Sequence, residues 1–225
     1  MTSKLPVIKI KAQSNHHAMF LMLTALMLFI ITLVFSQGYW RQYQLVLIFI
    51  YLTSLVIFIT GLAKYLQPKY SLCLNPQGIR YQHSYGHWQV NWQQIQRIAL
   101  MNESLGFIQV QLPYIGIRLK HLSTLAKQIS PRLANRLIHE QRPLLAFAIQ
   151  QQCISLEQGQ LNFEPFQLSS GESIVGPLAA FLHHSTVLHK AFGYHLFLPE
   201  TALDRELNEF CTLLKQCMQS SVEYS

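Results

Sequence analysis

The side chains most capable of chemistry are four histidines near one another, His183, His184, His189 and His195. Imidazoles bind zinc or another transition metal when three or four donors converge at about 2 Å. His183 and His184 are adjacent, so they point to different sides of any regular element. No cysteine or carboxylate lies close to them in sequence, and no metal site is assigned. Motifs of catalysis are equally thin. Gly171-Glu172-Ser173 has no Gly-x-Ser-x-Gly frame, and His139-Glu140 lacks the second histidine of a zinc-protease helix. There is no glycine-rich phosphate loop. Asp204 is the only aspartate, and it stands at a helix start, where capping is role enough. Cys73, Cys153, Cys211 and Cys217 match neither a CxxC pair nor a zinc set. They read as small buried apolar groups in a reducing compartment. The expectation is a protein without catalytic residues, cofactor or metal.

Basic residues give a better lead. Arg118, Lys120, His121, Lys127, Arg132, Arg136 and Arg142 crowd one stretch that holds Glu140 as its one acid. With Lys64 and Lys69, these lysines and arginines are the candidates for contact with anionic lipid headgroups. Each such side chain near a membrane surface contributes about 1 kcal/mol. The plainer reading is solvated charge on a helix, with Arg142 pairing Glu140 or a carbonyl, and both readings stand at this point. Trp88 and Trp92 could stack bases. They alternate as strand residues do, so core positions are expected and nucleic acid is not an expected partner.

The elements that must hold these residues begin with the membrane. Every charged side chain from Met1 to Ala99 is basic, whereas beyond Pro143 carboxylates dominate. Only 12% of the chain is charged, against about 25% in soluble domains. Ala18 to Phe35 and Leu45 to Ala63 carry no charge. Each approaches the ~20 residues that cross a hydrocarbon core about 30 Å thick, where helices alone satisfy their own backbone. Thr24, Thr32, Thr53, Ser54 and Thr60 can bond to the preceding turn or across to the partner helix. The short connection SQGYWRQYQ makes the pair a tight hairpin, with Tyr39, Trp40 and Tyr43 at an interface. Lys4, Lys9 and Lys11 precede the spans and Lys64 and Lys69 follow them, against Arg41 alone between. The positive-inside rule then places both termini in the cytoplasm. The rival reading of the first span, a cleaved signal peptide, is disfavoured by its length and by the lack of a small-x-small cleavage site.

Beyond Pro68 the pattern shortens to strands. Tyr70 to Leu74, Ile79 to His83, His87 to Trp92 and Gln93 to Met101 form a meander through the turn Asn75-Pro76-Gln77-Gly78. Phe107 to Leu112 and Ile115 to Lys120 make a hairpin around Pro113-Tyr114. Ser130-Pro131 starts a helix, which Pro143 should kink or split. Cys153 to Phe163 could return as strands, and Gly176-Pro177 breaks the segment from Gly171 to His184. Gly193 to Leu198 is a last strand. Thr201 then caps a helix with Asp204 in the capping-box position, and Leu203, Leu207, Phe210, Leu214 and Met218 mark its apolar face.

Two of these stretches, Tyr70 to Ile98 (YSLCLNPQGIRYQHSYGHWQVNWQQIQRI) and His195 to Cys217 (HLFLPETALDRELNEFCTLLKQC), resemble the opening and the close of bacterial pleckstrin-homology-like domains. The whole chain, with its GIRLK and EQRPLL segments, resembles an uncharacterised proteobacterial family of two-pass membrane proteins. The resemblance implies an α+β fold: an N-terminal segment (1–17), a transmembrane helical hairpin (18–63), and a cytoplasmic pleckstrin-homology-like domain (68–225). That domain would be an antiparallel β-barrel with a helical insertion at about 122–190 and a C-terminal capping helix. It implies no chemistry, since function lives in sites rather than folds. The expected role is a non-enzymatic scaffold or adaptor at the bacterial inner membrane, with the bilayer and an unknown protein as partners. The alternatives are a reader of anionic lipid headgroups through 118–142, or an enzyme of unrecognised type.

Overall fold

The computed structural model describes residues 7–11, 18–66, 68, 70–105 and 108–223, with the backbone alone at 103–105, 108–110, 222 and 223. The chain forms two compact units, one of residues 12–69 and one of residues 1–11 with 70–225.

The first unit is a single helical element, α1 (Ala18–Tyr65), long and apolar enough to cross a membrane. The expected loop between two spans is absent, because the residues on both sides of Tyr43 remain helical and Tyr43 alone departs, at φ −125° and ψ 30°. In a straight helix residues 25 and 54 would stand about 43 Å apart. Instead the Ser54 hydroxyl donates to the Ala25 carbonyl at 2.8 Å, and the Tyr51 hydroxyl lies 3.4 Å from Ser36 Oγ. The chain therefore turns back at Tyr43 and its two halves lie against each other. Their buried residues recur every seven positions: Ala18, Ala25 and Thr32 in one half, Leu47, Ser54 and Gly61 in the other. A seven-residue repeat is the signature of a left-handed helix seam. Small side chains there let the backbones approach. A Cβ on Gly61 would come within 2.8 Å of Met22 Cγ and 3.3 Å of the Ala18 carbonyl oxygen. Of the hydroxyls expected to bond locally or across, Thr24, Thr32, Thr53 and Thr60 bond back to the preceding turn and Ser54 alone crosses.

The second unit holds two main antiparallel sheets. The first is a meander in the order β1 (Ile8–Ile10), β2 (Leu72–Asn75), β3 (Gly78–His83), β4 (Gly86–Asn91). Its edge strand comes from ahead of α1: Ile8 pairs with Leu74 and Ile10 with Leu72. Part of the expected N-terminal segment thus belongs to the domain. Ser71 secures the join, donating through its backbone N–H and its hydroxyl to the Ile10 carbonyl, and through the hydroxyl to Ala202 O. The second sheet orders β5 (Ile95–Leu105), β6 (Ile108–Leu119) and β9 (Leu196–Pro199). The hairpin expected around Pro113-Tyr114 does not form, and β6 runs straight through. Its register slips between Leu100 and Asn102, which face Ile115 and Gln111, so Pro113 lies in a bulge. A bulge is where a strand tolerates a residue without an N–H.

Neither sheet closes into the expected barrel. The two share a core instead, with Ile10, Leu72 and Trp88 from one, Ile115, Ile117 and Leu196 from the other, and Phe210 and Leu214 from α6 (Leu207–Glu223). The helical insertion contains α2 (Ser123–Gln128), α3 (Pro131–Glu140), α4 (Arg142–Gln150), a small hairpin of β7 (Phe166–Gln167) and β8 (Ser173–Ile174), and α5 (Pro177–Phe192). Ser130 caps α3 by accepting from the Leu133 N–H at 3.2 Å, and the helix breaks at Gln141, ahead of Pro143. The strands expected over 153–163 do not form, and the stretch is a turn over 156–159 flanked by bends and irregular chain. The insertion lies on the domain: Leu144 of α4, Leu188 of α5 and Tyr194 join Met101 and Phe197 in a second core on the three-stranded sheet. The helix expected from Thr201 starts later, at Leu207, after a 3-10 turn over Glu200–Ala202. Leu203 is fully buried in an extended conformation, and tertiary burial overrides the local capping signal. Asp204 pairs with Arg205 at 2.9 Å instead.

Candidate functional site

The basic stretch does not gather on one surface element. Arg118 is half-buried on β6, and Lys120 follows it, exposed. Lys127 on α2 reaches Glu172 at 3.4 Å. On α3, Arg132 is exposed, while Arg136 bonds Glu140 at 2.7 Å and lies 5.9 Å from the Tyr85 ring centre. Arg142 is exposed in the first turn of α4, where it pairs with neither Glu140 nor any other carboxylate among the described residues. Lys64 is half-buried in the last turn of α1, and Lys69 lies outside the described residues. Two of the candidates are thus partly neutralised by carboxylates. Trp88 and Trp92 are buried in the core, and the Trp92 indole N–H donates to Asn75 O at 2.9 Å, so neither ring presents a face to a base.

Around Glu140 the structure builds a network that local sequence does not announce. His83 on β3 stands 3.4 Å from its carboxylate and Arg136 stands 2.7 Å away. Burial acts to raise the Glu140 pKa, and the hydrogen bonds from His83 and Arg136 more than offset it, holding the carboxyl below its usual range. The rings of Trp88, Tyr81, His83 and Tyr85 stack in series along the sheet. Burial first, and then the Glu140 charge, push up the Tyr81 and Tyr114 phenols. The His83–Glu140 contact fastens α3 to the first sheet by a bond to a charged carboxylate, and Arg136 holds that carboxylate from within the helix.

The histidines separate into two places. His183 lies 3.1 Å from Glu164 O and edge-on to Phe166. His184 is buried without a partner for its Nε2, and burial lowers its pKa to about 4. Both line a cavity of about 260 Å³ together with Glu157, Asn162 and Lys190. That cavity lacks His189, Glu172 and Arg142, the other groups that would give it the look of an active site. No group of three or more metal-binding side chains occurs among the described residues. The four cysteines are free thiols. Cys211 is buried, Cys73 and Cys217 are half-buried, and Cys153, contrary to expectation, is exposed.

The second place is the outer face of the three-stranded sheet. His189 from α5 stacks on His195, which precedes β9, with ring centres 3.9 Å apart. His195 Nδ1 accepts the Leu119 N–H at 3.1 Å. The Ser185 hydroxyl fixes the same turn by donating to His195 O at 2.7 Å. Arg118 lies beside the pair, and its cross-strand partner is Arg97 on β5. Burial first, then His189 and Arg118, lower the His195 pKa to about 4, and burial and Arg118 lower that of His189. Sequence reading found Arg118, His189 and His195 separately and did not single out Arg97. Only the register of distant strands joins them.

A family model matches residues 72–220 and is described as a protein of unknown function (DUF2982). It begins at β2, beyond α1. No curated protein and no solved structure matches the chain.

Proposed function

We propose, for a chain that belongs to this family of unknown function, that it is a non-enzymatic binding domain pinned to the membrane by both ends of a two-pass hairpin. One observation carries the reading: the strand before α1 pairs with the strand after it, Ile10 against Leu72. Both ends of the membrane segment therefore start from neighbouring strands of one sheet. A segment that leaves and re-enters at one place crosses the bilayer an even number of times. The turn at Tyr43 and the small-residue seam from Ala18 to Gly61 supply a pair of spans. The exposed faces of α1 are large and apolar, with Leu45 76% and Phe49 71% exposed, as lipid-facing helices are.

Lys9 and Lys11 lie ahead of the membrane segment, and Lys64 and Lys69 lie at its end. The positive-inside rule puts that side, and the domain with it, in the cytoplasm of a bacterial cell. The four-stranded and three-stranded sheets around one core, with a closing C-terminal helix, support a pleckstrin-homology-like layout in which the membrane hairpin occupies the first strand connection. A doubly tethered domain has little freedom to leave the surface, which raises its effective concentration for partners held there. That is the working principle of an adaptor.

Cys153 is exposed on the domain and provides the test. In right-side-out bacterial vesicles a membrane-impermeant maleimide is expected to leave Cys153 unmodified, and in inside-out vesicles to modify it. Labelling from the outside of intact cells would overturn the orientation.

A further inference from the structure

We infer that Arg97, Arg118, His189 and His195 form an oxyanion site on the outer face of the three-stranded sheet, suited to a phosphate group. Arg97 and Arg118 are directly opposed in the β5–β6 register, so their side chains leave the same face. Like charges in that position repel and destabilise the pair. None of the ion pairs among the described residues involves either arginine. Extending the row onto the third strand brings His195, whose backbone N–H donates to Ile117 O. Its Nδ1 is already an acceptor, for the Leu119 N–H. The ring proton must then sit on Nε2, which makes His195 a donor. His189 stacks on it with ring centres 3.9 Å apart and stands within electrostatic reach of Arg118.

The site therefore collects two guanidinium groups and an imidazole donor, with no paired carboxylate. An anion offsets the repulsion between the opposed arginines and accepts from the His195 Nε2–H. Guanidinium forks bind carboxylate and phosphate bidentately. Two forks from neighbouring strands match a tetrahedral phosphate, which offers an edge to each. The floor is fixed as well. Gly116, next on that face of β6, leaves room for the Tyr194 ring directly on the strand, where a Cβ would collide with it. Tyr194 and Leu188 hold α5, and His189 with it, against the sheet. The site does not depend on how often α1 crosses the bilayer. The phosphate can be free, as in a phosphorylated metabolite, or carried on a lipid headgroup.

The test uses the full chain in nanodiscs of neutral phosphatidylcholine. Inorganic phosphate is titrated at constant ionic strength while the histidine ring signals are followed by NMR. Saturable shifts are expected at His189 and His195 and not at His183. In R97Q and R118Q the apparent affinity should fall at least tenfold, while R132Q, on α3, should bind as the parent does. Repeating the titration in nanodiscs containing phosphatidylglycerol separates the sources. Phosphate affinity falls if lipid headgroups occupy the site and is unchanged if the natural ligand is free. A parent protein whose rings respond to neither phosphate nor phosphatidylglycerol overturns the inference. So does a double R97Q/R118Q variant that stays folded by thermal melting and binds as the parent does.

Discussion

The two units of this chain have opposite interiors. In the domain, Trp88, Phe181 and Phe210 are the largest fully buried side chains. In α1, the seam holds Ala18, Ala25, Thr32, Ser54 and Gly61 with Leu47 as its one large side chain, and most of the large side chains face outward. The difference is the one expected if, as proposed, the domain folds in water and α1 lies in lipid. Water drives large apolar side chains inward at roughly 25 cal/mol per Å². Lipid gives no such drive between helices, so close backbone approach and van der Waals contact decide which residues meet. Polar groups follow the same division. The domain satisfies the half-buried Glu140 carboxylate through His83 and the Arg136 guanidinium, whereas the two halves of α1 meet through hydroxyls, Ser54 on Ala25 O and Tyr51 beside Ser36 Oγ.

The contrast is open to attack, beginning with its largest expected effect. Trp88→Ala empties the domain core and should cost about 3–5 kcal/mol, read by denaturant unfolding. Phe49→Ala, which removes a comparable ring from the outer face of α1, should leave domain unfolding unchanged. Equal losses from the two would erase the distinction.

Acid probes the domain next. His184 is neutral when folded, its pKa lowered by burial to about 4, whereas the unfolded chain titrates at its ordinary value near 6.5. The unfolded state thus binds more protons between those values. The stability contributed is complete above pH 6.5 and is lost as pH falls towards 4, by roughly 2–3 kcal/mol. Unfolding of the parent and of His184→Leu at pH 7 and pH 4.5 should show the smaller pH difference in the variant.

The seam has its own perturbation. Gly61→Leu drives a side chain against Met22 and the Ala18 carbonyl, and overpacking of this kind costs about 1–3 kcal/mol. A distance probe between the exposed positions 19 and 65 in nanodiscs should report separation, while Leu62→Ala, on the exposed side, should not. The smallest effect is expected at Glu140. Its pKa is held below the usual range, so its contribution is present above that range and disappears on acidification. Glu140→Gln should cost about 1 kcal/mol at pH 7, allowing for solvent screening, and progressively less as the pH falls below the usual carboxylate range.

What could be read from the sequence was local or repetitive. The uncharged runs in α1, the Ser130-Pro131 start and the break before Pro143 all depend on residues within a few positions of one another. Nothing local announces that Ile8–Ile10 is an edge strand, because its partner β2 follows only after α1. The Arg97–Arg118 opposition depends on a register with slips on both sides of the match. Thr201 carried a sound capping pattern that lost to the burial of Leu203. The seven-residue repeat of the seam was present in the letters, but an apolar run gives Ala25 and Leu26 the same sign, and packing alone distinguishes them.

The β1–β2 pairing is the claim on which the membrane reading rests, and it admits a direct measurement. Lys9 and Cys73 are register partners. With Cys153, Cys211 and Cys217 replaced by serine, Lys9→Cys should form an intramolecular disulfide with Cys73 when native membranes are mildly oxidised, and Lys11→Cys should do so far less. Failure of the Lys9→Cys pair to cross-link, with position 9 and Cys73 labelled from opposite sides of the membrane, would contradict a domain closed around both ends of the membrane segment.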